Sequence, residues 1–436
     1  MMTAQGDAIN ANRATPIDSD QIAAGEAPSI MLATRPSGSA EFRLGGSAEF
    51  RLAVACARHP ASSVRVVAAA HVSIDWALFV RVARRHGIAS LAVDALLQAD
   101  VAVPEALERM ARRRGRAALR QAGEALRLQD LLAAAGVAAL FLKGPSLAQR
   151  AFGTIGSRDA VDIDVAVAPH AVAAAWSVLS TAGYIAESPL RRLSGAARRT
   201  FLAVAKDSFH RHATSGAIVE LHWRLSDDLV DPAIPNPATW RGVEVAPGRA
   251  LATLGDDTLF TYLCVHGAAH GWARLKWLAD IGALLIDSDD GGVRYWRAAQ
   301  TAGADRAVAS ALVLADRLLA IDLPPGFVAP HSWRLRALLA LSSRTMMAGG
   351  GARELASTPY RGWVEFAAKL LIAPTLRSLA PTLRRLAISS EDVGTLALPA
   401  GCIWLYPLLR VPMLVVRRQR RARLRLSAIR TRSAAS

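Results

Sequence analysis

The chain is short of cysteine and of lysine. Its three cysteines, Cys56, Cys264 and Cys402, are scattered over 436 residues and form no Cys-x-x-Cys pair. That pattern argues against a disulfide framework and a cysteine zinc site, and suits small buried side chains in a reducing compartment. Lysine occurs only as Lys143, Lys206, Lys276 and Lys369, although lysine and arginine together number 52. No basic segment leads into an apolar one near Met1, so no secretory signal and a cytoplasmic location are expected. A spanning helix needs about 20 uninterrupted apolar residues. The nearest approach, 397–416, is interrupted by Pro399, Pro407, Arg410 and Pro412.

What the chain does have is arginine, alanine and a net charge of +16. A basic balance favours anionic partners such as nucleotides, nucleic acid or acidic lipid. The length allows two or three domains, each with its own core.

Residues 1–55 are rich in turn formers and lack sustained periodicity, which predicts a disordered N-terminal tail. Within it the heptapeptide Gly-Ser-Ala-Glu-Phe-Arg-Leu occurs at 38–44 and again at 46–52. Residues 56–135 read as helical: Trp76, Phe79, Val80 and Ala83 share a face, and Pro104 opens a long helix through an arginine cluster. Between 136 and 245 strand and helix signals mix. A short apolar strand at 137–142 breaks at Lys143-Gly144-Pro145-Ser146, and a helix follows. A second strand spans 161–167, and 209–212 with 218–223 suit a hairpin across Thr214-Ser215-Gly216. Residues 246–350 are again helical, and 351–436 form an apolar and then strongly basic tail. The expected class is α+β.

The chemistry centres on Val161-Asp162-Ile163-Asp164-Val165. Strand side chains alternate, so Asp162 and Asp164 share one face while Val161, Ile163 and Val165 are expected in the core. Two like charges on a half-buried face repel unless a cation lies between them, and a hard divalent ion with oxygen ligands meets that need. On this reading, replacing either aspartate with asparagine relieves repulsion. Glu220, inside the apolar run Ile218-Val219-Glu220-Leu221, supplies a third carboxylate for a two-metal site. Gly144 and Ser146 lie at a strand-to-helix turn, where a phosphate can approach the backbone. Lys143 offers a point charge to phosphate or a strand-end ammonium to solvent. Arg158 can steady a triphosphate or pair with an aspartate. His222 falls on the same strand face as Glu220. His266 and His270 share a helix face near Trp272, and Asp280 is placed to orient one of them.

Leu142-Lys143-Gly144, Arg158, Asp162-Ile163-Asp164 and Glu220-Leu221-His222-Trp223 occur in an order that resembles the bacterial uncharacterised nucleotidyltransferase family of the polymerase-beta superfamily. The run from His266 to Trp272, with Arg274-Leu275-Lys276-Trp277 and Asp280, is similar to that family's helical region. The resemblance implies a small mixed-sheet nucleotidyltransferase core flanked by N-terminal and C-terminal helical regions. It implies that Asp162, Asp164 and Glu220 bind Mg²⁺ or Mn²⁺ and act in catalysis. Lys143, Gly144, Ser146 and Arg158 would bind the nucleotide. The expected reaction moves a nucleoside monophosphate from a nucleoside triphosphate to an acceptor, which is a protein, a nucleic acid or a small molecule. A non-catalytic scaffold that keeps the fold is the alternative, and a nucleic-acid-binding protein a third. The C-terminal arginines suit an anionic membrane surface, peripheral to its inner face.

Overall fold

The computed structural model describes residues 46–187, 193, 195–226, 233–354 and 361–374. Further along it describes 388, 392–393, 396, 398, 400–410 and 412–413. The first copy of the duplicated heptapeptide and the arginine-rich run 417–432 lie outside the described residues. Among the described residues, no helix is long and apolar enough to cross a membrane.

The first stretch is helical: α1 (Ala48–Cys56), α2 (Ser63–Ala70), α3 (Trp76–His86), α4 (Ala89–Gln98) and the 30-residue α5 (Glu105–Ala134). Helix α1 corrects the expected tail at 1–55, because the second heptapeptide copy is folded. Ser47 caps it by accepting from the Phe50 N–H, and Glu49 accepts from the Asp75 N–H. Phe50, Leu52, Ala53, Val54 and Cys56 are all buried in the helical core. The segment was unreadable from periodicity because it is apolar nearly all round, with too few turns to show a stripe.

The sheet follows. Strands β1 (Ala139–Phe141), β2 (Ile163–Val167), β3 (Tyr184–Ala186), β4 (Asp207–His212) and β5 (Ile218–His222) take the order β1-β2-β5-β4-β3. Only β2 and β5 run parallel; every other neighbouring pair is antiparallel, so the sheet is mixed. Ile163, Val165, Val167, Val219 and Leu221 point to one face, under α5 and α7 (Val172–Thr181), in one core. Asp164, Ala166, Glu220 and His222 alternate onto the other face. Val161 does not join the core: it precedes β2 and is 63% exposed.

Between β1 and β2 lies α6 (Pro145–Phe152), and α8 (Gly195–Val204) precedes β4. A two-stranded hairpin, β6 (Arg241–Ala246) and β7 (Arg249–Thr253), straddles residue 245, where the sequence placed a boundary. The Thr253 hydroxyl donates to the Phe141 carbonyl at 2.8 Å, fastening the hairpin to the sheet's edge strand. The remaining helices are α9 (Asp256–Ala269), α10 (Leu275–Ile286), α11 (Val293–Thr301), α12 (Asp305–Leu314), α13 (Trp333–Met347) and α14 (Arg361–Ile372). Their apolar residues merge with those of α1–α5 into one core. That core holds α9 beside the polar face of the sheet.

Candidate active site

The parallel pairing of β2 and β5 sets the site. Asp164 stands directly opposite Glu220 in the register, and His222 lies two residues further along the same face. The His222 Nε2 is 3.3 Å from an Asp164 oxygen and 3.6 Å from a Glu220 oxygen. Among the described residues these three offer ligand atoms all within 4.8 Å of one another. His222 Nδ1 is buried and has no hydrogen-bond partner. Two carboxylates and an imidazole fit a divalent cation; the oxygens suit Mg²⁺ or Mn²⁺, and the nitrogen softens the set.

Cationic side chains surround the carboxylates. Lys143 leaves the end of β1 and places its Nζ 3.2 Å from Asp164, and 5.6 Å from the Tyr262 ring centre. Lys206 contacts Asp207 and lies 3.5 Å from Glu220. Three of the four lysines of the chain, with Lys276, thus sit on or behind the acidic face. Burial pushes the Asp164 carboxyl up, but Lys143 and the His222 hydrogen bond outweigh it and hold the carboxyl well below its usual range. Burial and the neighbouring charges of Asp164 and Asp207 push Glu220 up to about 9. Without a cation, one acidic group of the pair therefore keeps its proton at neutral pH.

Asp162 lies just before β2, outside the convergent set, and burial together with the charge of Asp164 raises its pKa. Arg158 is engaged by an aspartate: its Nε donates to Asp280 at 2.8 Å, both side chains almost fully buried. Asp280 is therefore the partner of Arg158, not a histidine orienter. The Ser146 hydroxyl turns back to the Phe141 and Lys143 carbonyls at 3.2 and 3.3 Å. Gly144 caps α6 at φ 72° and ψ −133°, and a Cβ there would meet nothing within 4 Å. The turn is thus open above the backbone, as phosphate approach requires.

Because that space is empty, an alanine at 144 meets only a conformational penalty. Gly144→Ala is expected to cost about 1–3 kcal/mol, since an L side chain rarely adopts this backbone. Urea unfolding of the variant against wild type measures it.

Sequence reasoning did not place Lys206, Asp207 or Tyr262 at the site. The usable signal was composition: where arginine is the default cation, each retained lysine marks a position that needs a compact charge.

His266 and His270 stack on one face of α9, with ring centres 4.9 Å apart, and His266 meets Trp277 edge-on at 5.3 Å. His270 Nδ1 is 3.2 Å from Glu365, which also accepts from Arg361 at 2.9 Å. Burial raises the Glu365 pKa, but the His270 hydrogen bond and charge, with Arg361, overcome it and lower the value from 4.5 to about 2. A depressed carboxyl stabilises the fold fully above its unfolded pKa and loses that contribution as pH falls through the folded one. Between pH 4.5 and about 2, wild type should lose on the order of 2 kcal/mol more stability than Glu365→Gln. Urea midpoints across that range give the comparison.

Comparison with curated proteins gives no match, and neither does comparison with solved structures. A family model described as "Uncharacterised nucleotidyltransferase" matches residues 72–320, more than half of the chain. The match runs from just before α3 to just past α12 and contains every residue of the site. The chain belongs to the uncharacterised nucleotidyltransferase family.

Proposed function

We propose that the protein is a Mg²⁺- or Mn²⁺-dependent nucleotidyltransferase of the polymerase-beta type, moving a nucleoside monophosphate from a triphosphate to an acceptor hydroxyl. The observation that carries this reading is the convergence of Asp164, Glu220 and His222 beside the open Gly144 turn. Asp164 and His222 would hold a divalent cation, which would supply charge neutralisation for the triphosphate and favour the ionised form of Glu220. Lys143, at the end of β1, places a positive charge beside the same face and favours the triphosphate there. Glu220 takes the proton of the acceptor hydroxyl at a carboxylate oxygen. The hydroxyl oxygen bonds to the α-phosphorus as the bond to the bridging oxygen breaks, and pyrophosphate leaves with the electron pair.

One observation favours a second reading. Lys143 and Lys206 already place ammonium groups against Asp164 and Asp207, so part of the acidic charge is balanced without metal. A non-catalytic protein that keeps the fold would need no more than that. Thermal melts with each triphosphate, with Mg²⁺ and with EDTA, separate the two. Metal-dependent stabilisation by a triphosphate supports the transferase; its absence under all conditions leaves the scaffold.

A further inference from the structure

A cavity of about 170 Å³ is lined by residues of α9, α10 and α14, His266 among them. Side-chain contacts link its wall to the acidic site in steps: His266 to Tyr262 with ring centres 6.3 Å apart, Tyr262 to Lys143, and Lys143 to Asp164. The cavity holds the volume of about five or six waters, the size of an amino-acid-sized group. It is too small for a nucleotide.

Its lining has a definite chemistry. Trp277 and the two imidazoles make an angled aromatic wall, with His266 edge-on to Trp277. Arg85, itself 2% exposed, closes the floor, with its guanidinium bound to the Thr345, Met346 and Arg353 carbonyls. The mouth carries Arg274 and Arg361. Among the described residues each makes one ion pair, Arg274 to Glu354 at 3.1 Å and Arg361 to Glu365 at 2.9 Å. A guanidinium has five N–H donors in a fork, so both arginines keep donors for a further anion. Glu354 and Glu365 also line the cavity, each paired with one of these arginines, so with Arg85 the wall keeps a net positive charge.

We propose that this cavity is the acceptor subsite and that it takes a small molecule bearing a carboxylate or phosphate, bound by Arg274 and Arg361 against Trp277. The assignment rests on the transferase reading. An anion anchored at the mouth lies over an aromatic wall that ends at His266, and from there the remainder of a small acceptor extends toward Tyr262 and Asp164.

The test uses the full chain and two probes, inorganic phosphate and succinate, in thermal melts without metal or triphosphate. Stabilisation of wild type by one or both is expected, and the stronger probe identifies which anion the subsite prefers. The increment should persist in Asp164→Asn and fall in Arg274→Gln/Arg361→Gln, corresponding to binding weaker by about tenfold or more. Arg361→Gln alone, a half-exposed position in the first turn of α14, covers the case that the double variant does not fold. Stabilisation of wild type by neither probe, or stabilisation undiminished in the arginine variants, overturns the assignment. Stabilisation by Mg²⁺ and triphosphate follows the opposite pattern, lost in Asp164→Asn and kept in the arginine variants, so failure of the transferase reading is seen separately. Loss of triphosphate stabilisation in Arg361→Gln would instead make the cavity part of the nucleotide site and also overturn the proposal.

Discussion

Replacing Arg158 with methionine is expected to destabilise the fold by about 3–5 kcal/mol. The pair it forms with Asp280 has side chains only 4% and 1% exposed, and Arg158 remains charged because Asp280 faces it. Two charges taken out of water are tolerable when each balances the other. Removing one leaves an uncompensated carboxylate in a medium that solvates it poorly. The same reasoning predicts rescue: with Arg158→Met and Asp280→Leu together, neither member of the pair is left without its partner, and stability should return most of the way. Urea unfolding of the two single variants and the double variant completes the cycle. A nucleotide-binding arginine behaves differently. Its loss leaves the fold intact and abolishes triphosphate stabilisation. That outcome would restore the role the sequence motif implies and end the structural assignment.

The strand carrying Asp164, the turn at Gly144, and the hairpin of β4 and β5 were legible in the sequence. Each is local. Alternation over a few residues, a glycine after an apolar run and a three-residue turn are short-range signals. The grouping of the side chains was less legible, because register is a long-range property. Nothing in 161–167 or 218–223 says that β2 and β5 pair in parallel with Asp164 opposite Glu220. That single register decides that His222, rather than Asp162, falls within reach of both carboxylates. Lys206 and Asp207 reach the site because β4 pairs with β5 so that Asp207 lies opposite His222. The pairing of Arg158 with Asp280 spans 122 residues and two elements, so no motif spacing reveals it. Helix α1 was hidden for a different reason: its turn-rich neighbours masked nine residues whose burial depends on surfaces formed much later in the chain.

The carboxylates themselves should separate into three behaviours. In the sequence Asp162 and Asp164 look equivalent, and neutralising either one relieves repulsion. The structure distinguishes them. Asp164 is the counter-ion of Lys143, whose ammonium is raised above its ordinary range by that carboxylate despite burial. Asp164→Asn therefore strands a buried ammonium and is expected to cost about 3–5 kcal/mol. Asp162, with its pKa raised by burial and by Asp164, forms no ion pair among the described residues; Asp162→Asn should leave stability unchanged or slightly higher. Glu220, pushed up to about 9, is already protonated at neutral pH when no cation is present. Glu220→Gln copies that neutral state and should be nearly silent in the absence of ligand. Ligand then reverses the ranking. Saturating Mg²⁺ and triphosphate should stabilise wild type by about 2.7 kcal/mol at a hundredfold excess over Kd. Asp164→Asn and Glu220→Gln lose that increment, while Asp162→Asn keeps part of it. Thermal melts of the four proteins with and without ligand give all eight values. An undiminished increment in both Asp164→Asn and Glu220→Gln would remove the metal site, and the transferase reading would go with it.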